Sequence, residues 1–193
     1  MGSSSEAAER QQYLAFVLAG GDYAVGILKV KEILQYEGVT HVPSTPRSIR
    51  GVINLRGSVV PVVDLAVKFG LPEAPVTNRT CVLVVDTLFD GVPAVVGLMS
   101  DAVSEVIDLG ADDVEQPPSF GTHVKVDYLH GVGKVGKRFV LLLDIDRVLS
   151  ADERDLTTVI EAGEVAPEDE EHPSGVGAVA ASATARAPEV PAP

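Results

Sequence analysis

The chain has no tryptophan, a single cysteine, and only five phenylalanines and four tyrosines in 193 residues. With 46% hydrophobic residues its core must come from Val, Leu and Ile, which suit strands better than helices. So few aromatics, with a net charge of −13, exclude the basic, stacking face by which small β-barrels take nucleic acid. Much of that negative charge follows residue 153, where it serves solubility rather than fold. One cysteine makes no intrachain disulfide, so a reducing compartment fits; Cys81, inside Thr80-Cys81-Val82-Leu83-Val84-Val85, reads as a small buried hydrophobe. No apolar run approaches the roughly 18 residues a membrane span needs. MGSSSEAAERQQ has no secretory pattern, and Gly2 with its serines reads as a polar arm rather than a lipidation signal. The expected location is the cytoplasm.

Catalytic signatures are missing too. His41, His123, His130 and His172 are not at metal-ligand spacing on one element, and no Gly-x-Ser-x-Gly elbow occurs. Gly131, Gly133 and Gly136 match G-x-G-x-x-G in spacing, but they sit in a strand leading to a hairpin. No helix N-terminus follows to hold a pyrophosphate. Asp144 and Asp146 follow an apolar strand and read as helix capping rather than as a catalytic or metal pair. No enzyme, metal or cofactor is expected.

What the chain does have is concentrated in residues 49–70, IRGVINLRGSVVPVVDLAVKFG. The first eight residues alternate like a half-buried strand. Gly57-Ser58 reads as a two-residue turn with Gly at the position of positive φ. Val59–Val63 returns as a strand, and Asp64 opens a helical spacing as its N-cap. Residues 129–150, LHGVGKVGKRFVLLLDIDRVLS, repeat the pattern, with Gly131, Gly136-Lys137 and Asp144 standing where Gly51, Gly57-Ser58 and Asp64 stood. Ala24-Val25-Gly26-Ile27-Leu28 is echoed by Val95-Val96-Gly97-Leu98-Met99, and Val30-Lys31-Glu32-Ile33 by Val103-Ser104-Glu105-Val106. Two similar β-rich halves follow, not a solenoid.

Residues 1–11 read as a flexible arm. Pro72-Glu73-Ala74-Pro75 is the connector, and Asp112–Pro118 a surface loop that extends no ladder. A short helix is expected after Leu149. From residue 158 the acidic, then Ala/Pro-rich composition predicts a disordered tail to 193.

The feature order resembles the CheW family of bacterial chemotaxis adaptors over residues 12 to 153. The resemblance rests on Ile27–Ile33, Val42-Pro43, Pro46, Gly51–Gly57, Pro61–Leu65, Lys68-Phe69-Gly70, Tyr128–Gly131 and the Leu141–Leu149 run. Ser48 and Ala66 depart from the family pattern without disturbing the strands. The resemblance implies an all-β fold of two tandem SH3-like barrels, about 12–71 and 76–153 within a domain 12–157, each with its own core and a groove between them. It implies a non-catalytic adaptor that couples the cytoplasmic tips of methyl-accepting chemoreceptors to the regulatory domain of a CheA-type histidine kinase. It places Val30, Glu32, Arg56 and Gly57 in partner-binding surfaces. By residue type alone Val30 fits core packing equally well, Glu32 a solvated face, and Arg56 a solvated strand arginine. The chain is too short to hold this domain together with a kinase module or a receiver. The competing reading is a small-ligand or anion-binding barrel using Arg47, Arg50 and Arg56.

Overall fold

The computed structural model describes residues 10–89, 91–117, 124–150 and 153–164. The strands are β1 (Gln11–Leu18), β2 (Gly21–Gly26), β3 (Val30–Gln35), β4 (Ile49–Leu55), β5 (Ser58–Asp64), β6 (Cys81–Phe89), β7 (Val92–Ser100), β8 (Ala102–Leu109), β9 (Val114–Glu115), β10 (Leu129–Val135) and β11 (Arg138–Leu143). The helices are α1 (Leu65–Lys68), α2 (Ile145–Ser150) and α3 (Glu153–Glu164). A six-stranded sheet runs β8-β1-β2-β11-β10-β9 and a five-stranded sheet β3-β6-β7-β5-β4. The mainly β fold with two subdomains is as the sequence predicts.

The subdomain boundaries are not. The six-stranded sheet takes β1 and β2 from the first half and β8–β11 from the second. The five-stranded sheet takes β3–β5 from the first and β6–β7 from the second. Each half therefore lends its opening hairpin to the other. The crossovers are short: a 3-10 turn at Ile27–Lys29 leads from β2 to β3, and Asp101 alone separates β7 from β8. Composition and periodicity locate strands but carry no information on which hairpin a strand joins, so division at residues 71–76 followed chain order where pairing did not.

Pairing confirms the repeat and corrects one register. Ile33 lies opposite Leu83 as Val106 lies opposite Leu14, so Val30–Ile33 and Val103–Val106 are twins. β5 pairs in parallel with β7, and β11 with β2, but the partners are Val62 with Gly97 and Leu142 with Ala24. Ala24 thus corresponds to Gly97 rather than Val95. The longer β6–β7 hairpin, closing at Phe89 and Val92, produces the slip.

Each sheet curls round a small core. Tyr13, Ala15, Ala24, Ile107, Val140 and Leu142 fill one, and Val62, Val82, Val84 and Met99 the other. The largest cluster lies between the sheets: Phe16, Tyr23 and Val25 meet Val63, Leu83, Val85 and Leu98, with Leu65, Val148, Leu149 and Leu156. Besides the core expected for each barrel, the two barrels share this third one.

The expected loop at residues 112–118 contains β9, which pairs with Val132 and Gly133. Gly131 makes this approach possible, because a Cβ there would lie 2.6 Å from Val114 Cγ1. Its twin Gly51, at φ 146°, passes under Thr40, whose carbonyl oxygen leaves no room for a Cβ. Thr40 and Val52 exchange backbone hydrogen bonds at 2.8 Å. These glycines are structural, which accounts for the glycine-rich run. The helix expected after Leu149 is α3, and it runs past the boundary expected at 157. Leu156 and Val159 are buried in the shared core, so ordered structure extends to Glu164. Residues 1–9 and 165–193, where the arm and most of the tail were expected, lie outside the described residues.

Candidate functional site

β3 is an edge strand of the five-stranded sheet, and β4 is the opposite edge. Edge strands leave backbone groups and one row of side chains open to partners. At the tip of the β4–β5 hairpin Leu55 pairs with Ser58, so the turn residues are Arg56 and Gly57, not Gly57 and Ser58. Both take positive φ, 54° and 89°, the type I′ pattern whose twist matches the strands. Gly57 N–H donates to Asn54 Oδ1 at 2.8 Å, which steadies a left-handed arginine.

The turn brings two of the expected residues together. Arg56 Nη2 donates to Glu32 Oε1 at 2.9 Å, joining the hairpin tip to the β3 edge. The arginine side chain is 77% exposed. Val30 is half-buried against the shared core, so it supports the edge from within. Gly57 holds the turn. The twin of Glu32 is also paired, but by a different arginine: Arg138, the counterpart of Ser58 rather than of Arg56, donates from Nη2 to Glu105 Oε1 at 2.7 Å. Beyond the first pair a cleft of about 580 Å³ opens between the end of β3, residues 36–40 and β4.

The arginine cluster behind the anion-site reading does not form. Arg50 Nε donates to Asp64 Oδ2 at 2.9 Å and its Nη2 to Glu73 Oε1, while Arg56 turns to Glu32. Burial pulls the Arg50 guanidinium down, but hydrogen bonds and charge from Glu73 and Asp64 hold it above its ordinary value. Two of the three arginines already face carboxylates of their own chain, which removes the premise of that alternative.

The capping assignments of Asp64 and Asp144 hold, and that of Asp146 does not. Asp64 Oδ1 accepts from Val67 N–H at 3.0 Å, and Asp144 Oδ1 from Arg147 N–H at 3.2 Å. Asp146 does something else. Its carboxylate accepts from Lys29 Nζ at 2.7 Å and from Thr87 Oγ1 at 2.9 Å. Burial would raise its pKa, but those hydrogen bonds and the Lys29 charge outweigh burial and lower it.

One exposed residue escapes a reading by periodicity. Leu28, on the 3-10 turn before β3, is 96% exposed. Among Ile27, Leu28, Lys29 and Val30 it looks like any strand residue. The corrected register sets it against Asp101, an apolar residue where its twin is polar, and that contrast is the signal.

A family model described as CheW-like domain matches residues 12–153. A chemotaxis protein CheW from Klebsiella aerogenes is 40% identical over 143 residues, covering 74% of this chain and 84% of that relative. Another, from Treponema pallidum, is 30% identical over 145 residues, covering 75% of this chain and 85% of that one. The crystal structure of the scaffolding protein TtCheW from Thermoanaerobacter tengcongensis superposes with a TM-score of 0.66 at 28% identity, covering 77% of this chain and 94% of that chain.

Proposed function

The chain belongs to the CheW family of chemotaxis scaffold proteins, and from that premise we propose that it couples methyl-accepting chemoreceptor tips to the regulatory domain of a CheA-type histidine kinase, docking through the β3 edge and the Arg56–Gly57 turn. A scaffold turns over no substrate. It acts through differential affinity, holding receptor and kinase in one geometry so that receptor conformation shifts the kinase between populations. The cytoplasm is the compartment this reading requires, and no helix among the described residues is long and apolar enough to cross a membrane.

The observation that carries the reading is the Glu32–Arg56 pair. Such an exposed pair contributes only about 0–1 kcal/mol to stability. It does fix a planar guanidinium at a hairpin tip, with Nη2 on Glu32 and further donors available to a partner carboxylate. Val30 supports that surface from within, and Gly57 holds the turn.

Arg56→Glu tests it. The variant should melt within about 1 kcal/mol of wild type, the scale of an exposed ion pair. Binding to a kinase regulatory fragment or a receptor-tip fragment should weaken about tenfold or more, because reversal sets carboxylate against carboxylate. Unchanged binding to both fragments would reduce Arg56 to a solvated turn residue. Loss of folding would make it structural and end the assignment.

A further inference from the structure

The two halves bring an arginine to the edge glutamate through different hairpin turns. In the second half Gly136 is the first turn residue, at φ 62°, Lys137 is not left-handed, and Arg138 reaches Glu105 from the strand that follows. In the first half Arg56 itself stands in the place of that glycine, at φ 54°. A left-handed residue with a Cβ is strained, so the first half holds its arginine in the harder of two geometries that the same fold allows. The harder geometry changes what is exposed. Arg138 and Glu105 side chains are both 53% exposed, whereas Arg56 rises to 77% and Glu32 falls to 28%. The carboxylate is largely covered, and the guanidinium is the group left facing solvent. Strain of this kind persists only where the surroundings hold it. Ala19, the left-handed first residue of the β1–β2 turn, has its N–H held by Asp101 Oδ2 at 2.7 Å. At the β4–β5 turn the brace is Asn54, whose Oδ1 accepts from Gly57 N–H. Its twin Lys134 has no acceptor to offer and pairs with Glu115 instead.

We propose that Asn54 is a positioning residue, which holds the β4–β5 turn in its left-handed form and so presents the Arg56 guanidinium to a carboxylate of the kinase's regulatory domain. The inference rests on the docking role proposed above for Arg56. The chemistry of the contact follows from charge complementarity within this chain. Arg50 spans two carboxylates, with Nε on Asp64 and Nη2 on Glu73. Arg56 has one, Glu32, bonded through Nη2 alone, and its remaining donors lie on the exposed side. A partner carboxylate completes the same two-sided arrangement. Of the two partners proposed, the regulatory domain is assigned here because a folded domain can meet the hairpin tip and the β3 edge together. A braced turn also spares that partner the entropy of fixing a loose arginine, the usual gain from preorganisation.

The test is a double-mutant cycle on binding to the kinase regulatory fragment, with the receptor-tip fragment measured in parallel and thermal unfolding alongside. Arg56→Ala should weaken binding to the kinase fragment about tenfold, as loss of a charged anchor does. Asn54→Ala should weaken it about fivefold, in the range shown by coupled neighbours, and should do nothing further in the Arg56→Ala background. Amide hydrogen exchange at Gly57 should quicken in Asn54→Ala and slow again in Asn54→Asp, which restores an acceptor. A graft of the second half's turn, combining Arg56→Gly, Gly57→Lys and Ser58→Arg, keeps an arginine opposite Glu32 without a left-handed side chain. It should melt within about 2 °C of wild type and bind the kinase fragment as weakly as Arg56→Ala. A graft that binds like wild type overturns the proposal, because the left-handed presentation would then be unnecessary. Full additivity of Asn54→Ala and Arg56→Ala overturns it as well, since a general structural effect would not disappear with the arginine. If Asn54→Ala proves unstable, the graft carries the same criterion. If Arg56→Ala binds both fragments like wild type, the docking role of Arg56 fails and takes this inference with it. If Arg56→Ala weakens binding while Asn54→Ala and the graft do not, only the positioning role fails. Losses confined to the receptor-tip fragment overturn the assignment to the kinase domain.

Discussion

At the scale of single residues, twin positions do unequal work. Asp64 and Asp144 cap corresponding helices, yet Asp64 is 4% exposed and also takes Arg50, while Asp144 pairs with the exposed Arg147. Asp144→Ala should cost about 1 kcal/mol, the ordinary value of a lost cap. Asp64→Ala should cost about 2–3 kcal/mol, because a charge-assisted bond goes with the cap and Arg50 keeps only Glu73. Denaturant unfolding of the two variants checks the ratio, and equal losses would mean that Arg50 contributes nothing through Asp64. Both caps were legible in sequence because a cap is local: carboxylate, helical spacing and preceding strand lie within a few residues. The Glu32–Arg56 contact was not, since it depends on β3 and the β4–β5 tip meeting across a sheet. The turn was misplaced by one residue because glycine advertises positive φ, whereas an arginine at 54° does not.

At the scale of elements, strands and hairpins are readable wherever alternation and turn chemistry agree, and they are masked where local composition runs against the pattern. Leu156, Val159 and Ile160 stand at helical spacing on α3, but the acidic, Ala-rich residues around them drew the boundary to 157. β9 was hidden between acids and prolines, and only the paired glycines of β10 announce that a strand crosses there. Burying one valine is worth roughly 1.5–3 kcal/mol. A chain ending at residue 157 loses Val159 and Ile160 from the shared core, so it should melt well below wild type. We propose that a chain ending at 164 melts like the full protein and keeps its partners. Thermal unfolding of the two truncations separates these outcomes; equal melting would show that the second half of α3 adds nothing.

At the scale of the whole molecule, the repeat was visible in the chain and the exchange was not, because two tandem barrels and two interlaced ones require the same strands in the same order. Only pairing distinguishes them. In β3-β6-β7-β5-β4 the borrowed hairpin is central, and the same holds for β1-β2 between β8 and β11. Cutting the chain between Val76 and Thr77 should therefore leave two fragments without a continuous sheet. Each should be largely unfolded alone by circular dichroism, and an equimolar mixture should recover the native spectrum and a cooperative melt. A half that folded cooperatively by itself would refute the dependence. The two crossings have a mechanical consequence as well. A bridge between neighbours carries load, and tension that draws the sheets apart finds no seam to peel, since the backbone passes between them at Ile27–Lys29 and again at Asp101. Such tension pulls along strands already paired on the far side, so rows of hydrogen bonds resist together in shear instead of yielding one after another as a zipper would.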